Sequence, residues 1–137
     1  MCSGRGHVNV TRYGSVFAGM PEVMSAAYLR MWGRHIPHAK DLVVVPCRSL
    51  TSLMEDNGMP TAEFLSLDAQ GAELLVLNPV DPAAFKVIMI EMDGLDKLEE
   101  GRVHSLLLRS GCAKANASFR VSYSRVYVSN ATSSLLV

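Results

Sequence analysis

Long apolar runs, densely spaced cysteines and a surplus of either charge are all missing from this sequence. No run of about 18 apolar residues occurs, so no membrane-spanning helix is expected. The opening Met1-Cys2-Ser3-Gly4-Arg5-Gly6 lacks the apolar stretch of a signal peptide. The three cysteines, Cys2, Cys47 and Cys112, stand far apart without C-x-x-C spacing. Neither a zinc site nor a disulfide framework is indicated, although one pair stays open. Lysine plus arginine and aspartate plus glutamate number thirteen each, which favours neither nucleic acid nor a polyanionic tail as the function. His7, His35, His38 and His104 show no metal-ligand spacing, so no metal site is predicted. No nucleophile elbow surrounds a serine or cysteine, and covalent hydrolase chemistry finds no support. As written, the chain reads as cytoplasmic. Asn9-Val10-Thr11, Asn116-Ala117-Ser118 and Asn130-Ala131-Thr132 fit the N-glycosylation pattern and keep a secretory or lumenal setting as the alternative, should a targeting segment lie upstream.

What is present suits a folded α/β chain. With 137 residues, 49% hydrophobic and 19% charged, it is of single-domain length and too apolar for disorder. The eight methionines fall mostly among apolar positions and read as core filler. Residues 7–19 are ambiguous, with Val8, Val10 and Tyr13 as candidates for an edge strand. Pro21 to Arg34 has helical spacing in Val23, Ala26, Ala27, Leu29, Arg30 and Met31, with the proline at a first-turn position. Asp41 to Pro46 reads as a strand stopped by proline, and Ser49 to Glu55 as a short helix ending before the turn pair Asn57-Gly58. Phe64 to Leu67 is strand-like. Ala69 to Leu77 follows as a helix with Ala72, Leu75 and Val76 on one face, closed by Asn78-Pro79. Phe85 to Glu91 is nearly all apolar, as expected of a strand covered on both faces. Glu99 to Ser110 makes a helix with Val103, Leu106 and Leu107 inward and Gly111 at its end. Two last strands are expected near Ser118–Ser122 and Arg125–Ser129. This alternation predicts a mostly parallel sheet, helices on both faces and an antiparallel C-terminal strand.

In such sheets ligands bind beyond the carboxyl ends of the strands, where Asp68 and Glu91 fall. Two carboxylates there would share a crevice and bind an amine or hydroxyl, or accept a proton. Asp68 has a simpler explanation as an N-cap receiving the N–H of Gln70 or Gly71. Glu73 is favoured in a first turn by the helix dipole. Gly71, costly in a helix, points to close approach of a neighbouring backbone or a ligand. Glu91 ends an apolar strand, needs a partner, and is the strongest generic candidate.

The segments Val45-Pro46-Cys47-Arg48-Ser49-Leu50-Thr51-Ser52-Leu53-Met54, Phe64-Leu65-Ser66-Leu67-Asp68-Ala69-Gln70-Gly71-Ala72-Glu73 and Val87-Ile88-Met89-Ile90-Glu91 resemble the FkbM family of S-adenosylmethionine-dependent methyltransferases. The resemblance covers about residues 42 to 130. The family's D-x-x-G-x-E core falls on Asp68, Gly71 and Glu73. The resemblance implies a Rossmann-like class I methyltransferase sheet and methyl transfer from S-adenosylmethionine, usually to a hydroxyl oxygen on a small molecule or glycan. It assigns Asp68 and Glu91 to catalysis, and Asp68, Gln70, Gly71 and Glu73 to the cofactor. Gln70 replaces a glutamate common in the family, and Thr51 stands where many members have aspartate. No strand with a D/E-x-G-x-x-x-G loop precedes residue 42, so residues 42–130 read as the C-terminal part of the domain. Residues 1–41 then form an extension with one helix, and 131–137 a flexible tail. Without the glycine-rich loop, activity of the isolated chain is in question. The rival expectation is a non-catalytic interaction module that keeps the fold and binds a protein partner, or itself, through an exposed sheet edge.

Overall fold

The computed structural model describes residues 6–11, 19–32, 42–92, 94, 96–116 and 123–133. Two sheets are present. The strands β1 (Gly6–Thr11) and β2 (Leu42–Cys47) form an antiparallel pair, with Val8 opposite Val45 and Val10 opposite Val43. The expected edge strand at Val8 and Val10 is therefore present, while Tyr13 lies outside the described residues. The second sheet has four strands in the order β3 (Ala62–Leu67), β4 (Phe85–Glu91), β6 (Ser124–Ser129), β5 (Cys112–Lys114). β3 and β4 run parallel, and β4–β6 and β5–β6 antiparallel. The mostly parallel sheet expected from the sequence is corrected here. The valine run of β2, read as a strand of that sheet, pairs with β1 alone. Its Pro46, opposite His7, has no N–H to donate to a ladder, which suits a short outlying ribbon.

The expected strand near Ser118–Ser122 falls outside the described residues. β5 instead begins directly after Gly111, whose positive φ of 78° turns the chain out of the preceding helix. That helix, α4 (Lys97–Arg109), starts two residues earlier than expected, because Asp96 accepts the N–H of Glu99 at 3.0 Å and caps it. At the N-terminal side the helix α1 (Ala26–Trp32) starts five residues later than Pro21. Residues 21–23 form a turn, with Val23 N–H donating to the Met20 carbonyl, and Ser25 Oγ accepts the N–H of Tyr28 as a cap. α2 (Leu50–Asp56) is capped by Ser49, as its position before an apolar run foretells. α5 (Asn130–Ser133) takes up the first residues of the segment read as a tail.

The core joins Ile88 and Ile90 of β4 and Tyr127 of β6 to Met54 of α2, Leu77 of α3 (Glu73–Leu77) and Val103 and Leu107 of α4. Cross-strand partners share a face, so Leu65 and Leu67 join Ile88 and Ile90 on the core side. On the opposite face Val87 and Met89 are half-buried, and Phe64, in register with Val87, is 54% exposed. The full cover expected on both faces of β4 is thus found on one. In α3, Leu74 and Leu77 contact the core, while Ala72, Leu75 and Val76, expected on one face, together line a cavity shared with α2.

Candidate functional site

Residues 68–72 join β3 to α3. Gln70 has φ 53° and Gly71 φ 99°, and Gln70 is the one non-glycine residue with positive φ among the described residues. Two successive left-handed residues cannot continue a right-handed helix, so α3 starts at Glu73 and not at Ala69. The expected cap is also corrected: the N-cap position is Ala72, without a side-chain bond, and Asp68 does not receive the turn's N–H groups. Glu73 does so from inside the helix. Its Oε1 accepts from Ala69 N–H at 2.9 Å and its Oε2 from Gly71 N–H at 3.0 Å. This carboxylate is buried and satisfied by backbone donors, a charge-assisted arrangement that fixes the turn. A Cβ on Gly71 would lie 2.9 Å from Ser25 N and 3.3 Å from Val23 O. The glycine therefore permits close approach of the segment leading into α1.

Held in this turn, Gln70 reaches both carboxylates singled out in the sequence. Its Nε2 donates to Asp68 Oδ1 at 2.7 Å and to Glu91 Oε2 at 3.4 Å, one amide hydrogen for each. Asp68 is exposed and Glu91 half-buried. Asp68, Gln70 and Glu91 thus stand together across the ends of β3 and β4.

Gln70, Gly71, Glu73 and Glu91 line a crevice that encloses about 50 Å³. Its remaining walls were not anticipated: Ser25 and Tyr28 of the α1 region, Met92 after β4, and Asp96, Glu99 and Glu100 at the start of α4. Five carboxylates line it, with no lysine, arginine or histidine. Burial pushes the Glu99 carboxyl above its ordinary range, the negative charges of Asp96 and Glu73 push the same way, and Arg102 opposes them. The Asp96-Lys97-Leu98-Glu99 spacing, a capping signature, was the signal that would have placed these acids at a helix start facing the strand ends. Nothing in the local sequence brings Tyr28 to the crevice; only the close approach at Gly71 does. Among the described residues no three His, Cys, Asp or Glu side chains are placed to hold a metal ion. Tyr127, whose buried hydroxyl meets His104 Nδ1 at 2.9 Å and whose pKa burial pushes to about 12, belongs to the core beneath α4.

Residues 16–119 match the family model described as the methyltransferase FkbM domain. The match spans most of the chain, and the chain belongs to this family. It begins well before residue 42 and so takes in α1, which supplies Tyr28 to the crevice. No curated protein and no solved structure gives a significant match. Among the described residues no helix is long and apolar enough to cross a membrane.

Proposed function

We propose that this chain forms the reacting end of an S-adenosylmethionine-dependent O-methyltransferase, with Asp68 and Glu91 serving the acceptor hydroxyl. The observation that carries this reading is the crevice at the ends of β3 and β4, walled by five carboxylates and no cationic side chain. A site of that composition favours a positively charged ligand. Its volume is about 50 Å³, well below the roughly 300–1,000 Å³ of sites that enclose a whole small molecule. The described residues therefore suit the methyl-bearing sulfonium centre of the donor and not its full length.

When bound, S-adenosylmethionine supplies an electrophilic methyl group on a cationic sulfur. Glu91, Asp96, Glu99 and Glu100 are the residues that would hold that charge. Tyr28 adds an aromatic wall and helps to exclude water. Gln70 donates to both Asp68 and Glu91, tying into one bridge the two carboxylates that would receive the acceptor's proton. The left-handed conformation of Gln70 fits a turn whose geometry is fixed for such a purpose, since strain of this kind gathers at functional sites.

The experiment is transfer of labelled methyl from S-adenosylmethionine to a panel of hydroxyl-bearing sugars and small alcohols. Glu91→Gln, which removes the proton acceptor with little change of shape, is expected to slow transfer by about 10²–10⁴-fold. An undiminished rate would remove Glu91 from the mechanism. A second reading, an interaction module, is favoured by Phe64, exposed on β3 at the end of the four-stranded sheet. It predicts self-association in sedimentation that Phe64→Ser abolishes.

A further inference from the structure

Cys47, the last residue of β2, is buried and disulfide-bonded, whereas Cys112 is a free thiol within the core. The remaining cysteine of the sequence is Cys2. Disulfides persist in secreted and lumenal proteins and are rare where glutathione keeps thiols reduced. The bond at Cys47 therefore points to folding in an oxidising compartment, where two thiols give up two electrons and two protons to a disulfide carrier.

The asparagines give a second, independent sign. The sequence has five, and three of them, Asn9, Asn116 and Asn130, head the N-x-S/T pattern. Serine and threonine together make eighteen of the 137 residues, so composition alone would place about one asparagine in eight at the head of that pattern. What the fold must supply is room for a bulky polar group, and it does so at two of the three. Asn116 is exposed just beyond β5, the outer strand of the four-stranded sheet. A glycan there stands beside the outer edge of the sheet, where cover suppresses edge-to-edge pairing. Asn130 is exposed at the start of α5, its backbone N–H donating to the Gly111 carbonyl at 2.9 Å. β6 runs antiparallel to β4, with Val87 opposite Val128 and Glu91 opposite Ser124, so Asn130 lies at the end of the sheet away from the carboxylate crevice. Neither asparagine lines that crevice. Asn9 differs: it is half-buried within β1, and its Nδ2 donates to Glu22 Oε1 at 2.7 Å.

We propose that this chain matures in an oxidising lumen and carries N-linked glycans on Asn116 and Asn130. The oligosaccharide comes from a lipid-linked diphosphate donor. The bond from the sugar C1 to the diphosphate oxygen breaks, a bond from C1 to Nδ2 forms, the amide gives up one proton, and the lipid diphosphate leaves. The inference does not depend on the methyl-transfer reading.

The test is peptide mapping of the full chain isolated from the cells that make it. Enzymatic release of N-linked glycans in heavy-oxygen water is expected to turn Asn116 and Asn130 into labelled aspartate. Alkylation of the unfolded, unreduced chain is expected to mark Cys112 alone, and after reduction all three cysteines. Ser118→Ala and Thr132→Ala keep each asparagine and remove its pattern, so each is expected to abolish one glycan when produced in the same cells. The sugar is added to the nascent chain, and this readout therefore survives a variant that fails to fold. Unlabelled asparagine at either position removes that acceptor, and at both overturns the proposal. So does alkylation of Cys47 before reduction.

Discussion

Glu73 lies within α3 yet closes the turn that precedes it, its two carboxylate oxygens divided between the N–H groups of Ala69 and Gly71. Removing it strands two backbone donors in a partly buried turn and frees the left-handed pair Gln70-Gly71 that orients the bridge to Asp68 and Glu91. Glu73→Ala is therefore expected to destabilise the fold by about 1–3 kcal/mol, read from urea unfolding. Glu73→Gln, which keeps one acceptor oxygen, should lose less. Equal losses in the two variants would show that side-chain volume, and not acceptance, is what the turn needs. Sequence marked the right residues here and misjudged their parts. D-x-x-G-x-E singled out Asp68, Gly71 and Glu73, but an aspartate at the end of a strand reads as a cap. A positive φ at Gln70, which moves the cap away from Asp68, leaves no trace in residue type.

At the scale of elements, α4 brings three acids to the crevice, Asp96 as its cap and Glu99 and Glu100 in its first turn. Burial and neighbouring acids raise the Glu99 pKa above its ordinary value of 4.5. A carboxyl raised in the fold favours the folded state while protonated. That contribution is whole below the unfolded pKa and is lost as pH rises through the folded one. Glu99→Gln, which imitates the protonated form, is expected to match the wild-type chain below pH 4.5 and to become the more stable as pH rises above it. Urea midpoints measured across that range check this, and a gap independent of pH would contradict it. Elements were legible where apolar periodicity is long, as in β4 and α4, and ends were lost where a side chain decides them. Asp96 starts α4 earlier than its apolar stripe suggests, and Ser25 starts α1 later than Pro21 does.

Over the whole molecule, strand order and the carboxylate crevice depend on contacts far apart in sequence. β2 was misplaced because a valine run tells of burial and not of its partner, and the partner proved to be β1. The crevice was half visible: Glu91 follows from a strand end, and Asp68, outside the crevice, is joined to it through Gln70, whereas Tyr28, Glu99 and Glu100 are brought in by α1 and α4. The membership in the FkbM methyltransferase family and this acidic wall meet in one physical claim, that the crevice holds a cation. Isothermal titration of the folded chain with S-adenosylmethionine and with S-adenosylhomocysteine tests it most directly, since the second ligand lacks the methyl group and the sulfonium charge. The account predicts tighter binding of S-adenosylmethionine, by about tenfold or 1.4 kcal/mol, and a preference that shrinks as salt is added. Equal or tighter binding of S-adenosylhomocysteine, or no heat from either ligand, would contradict it.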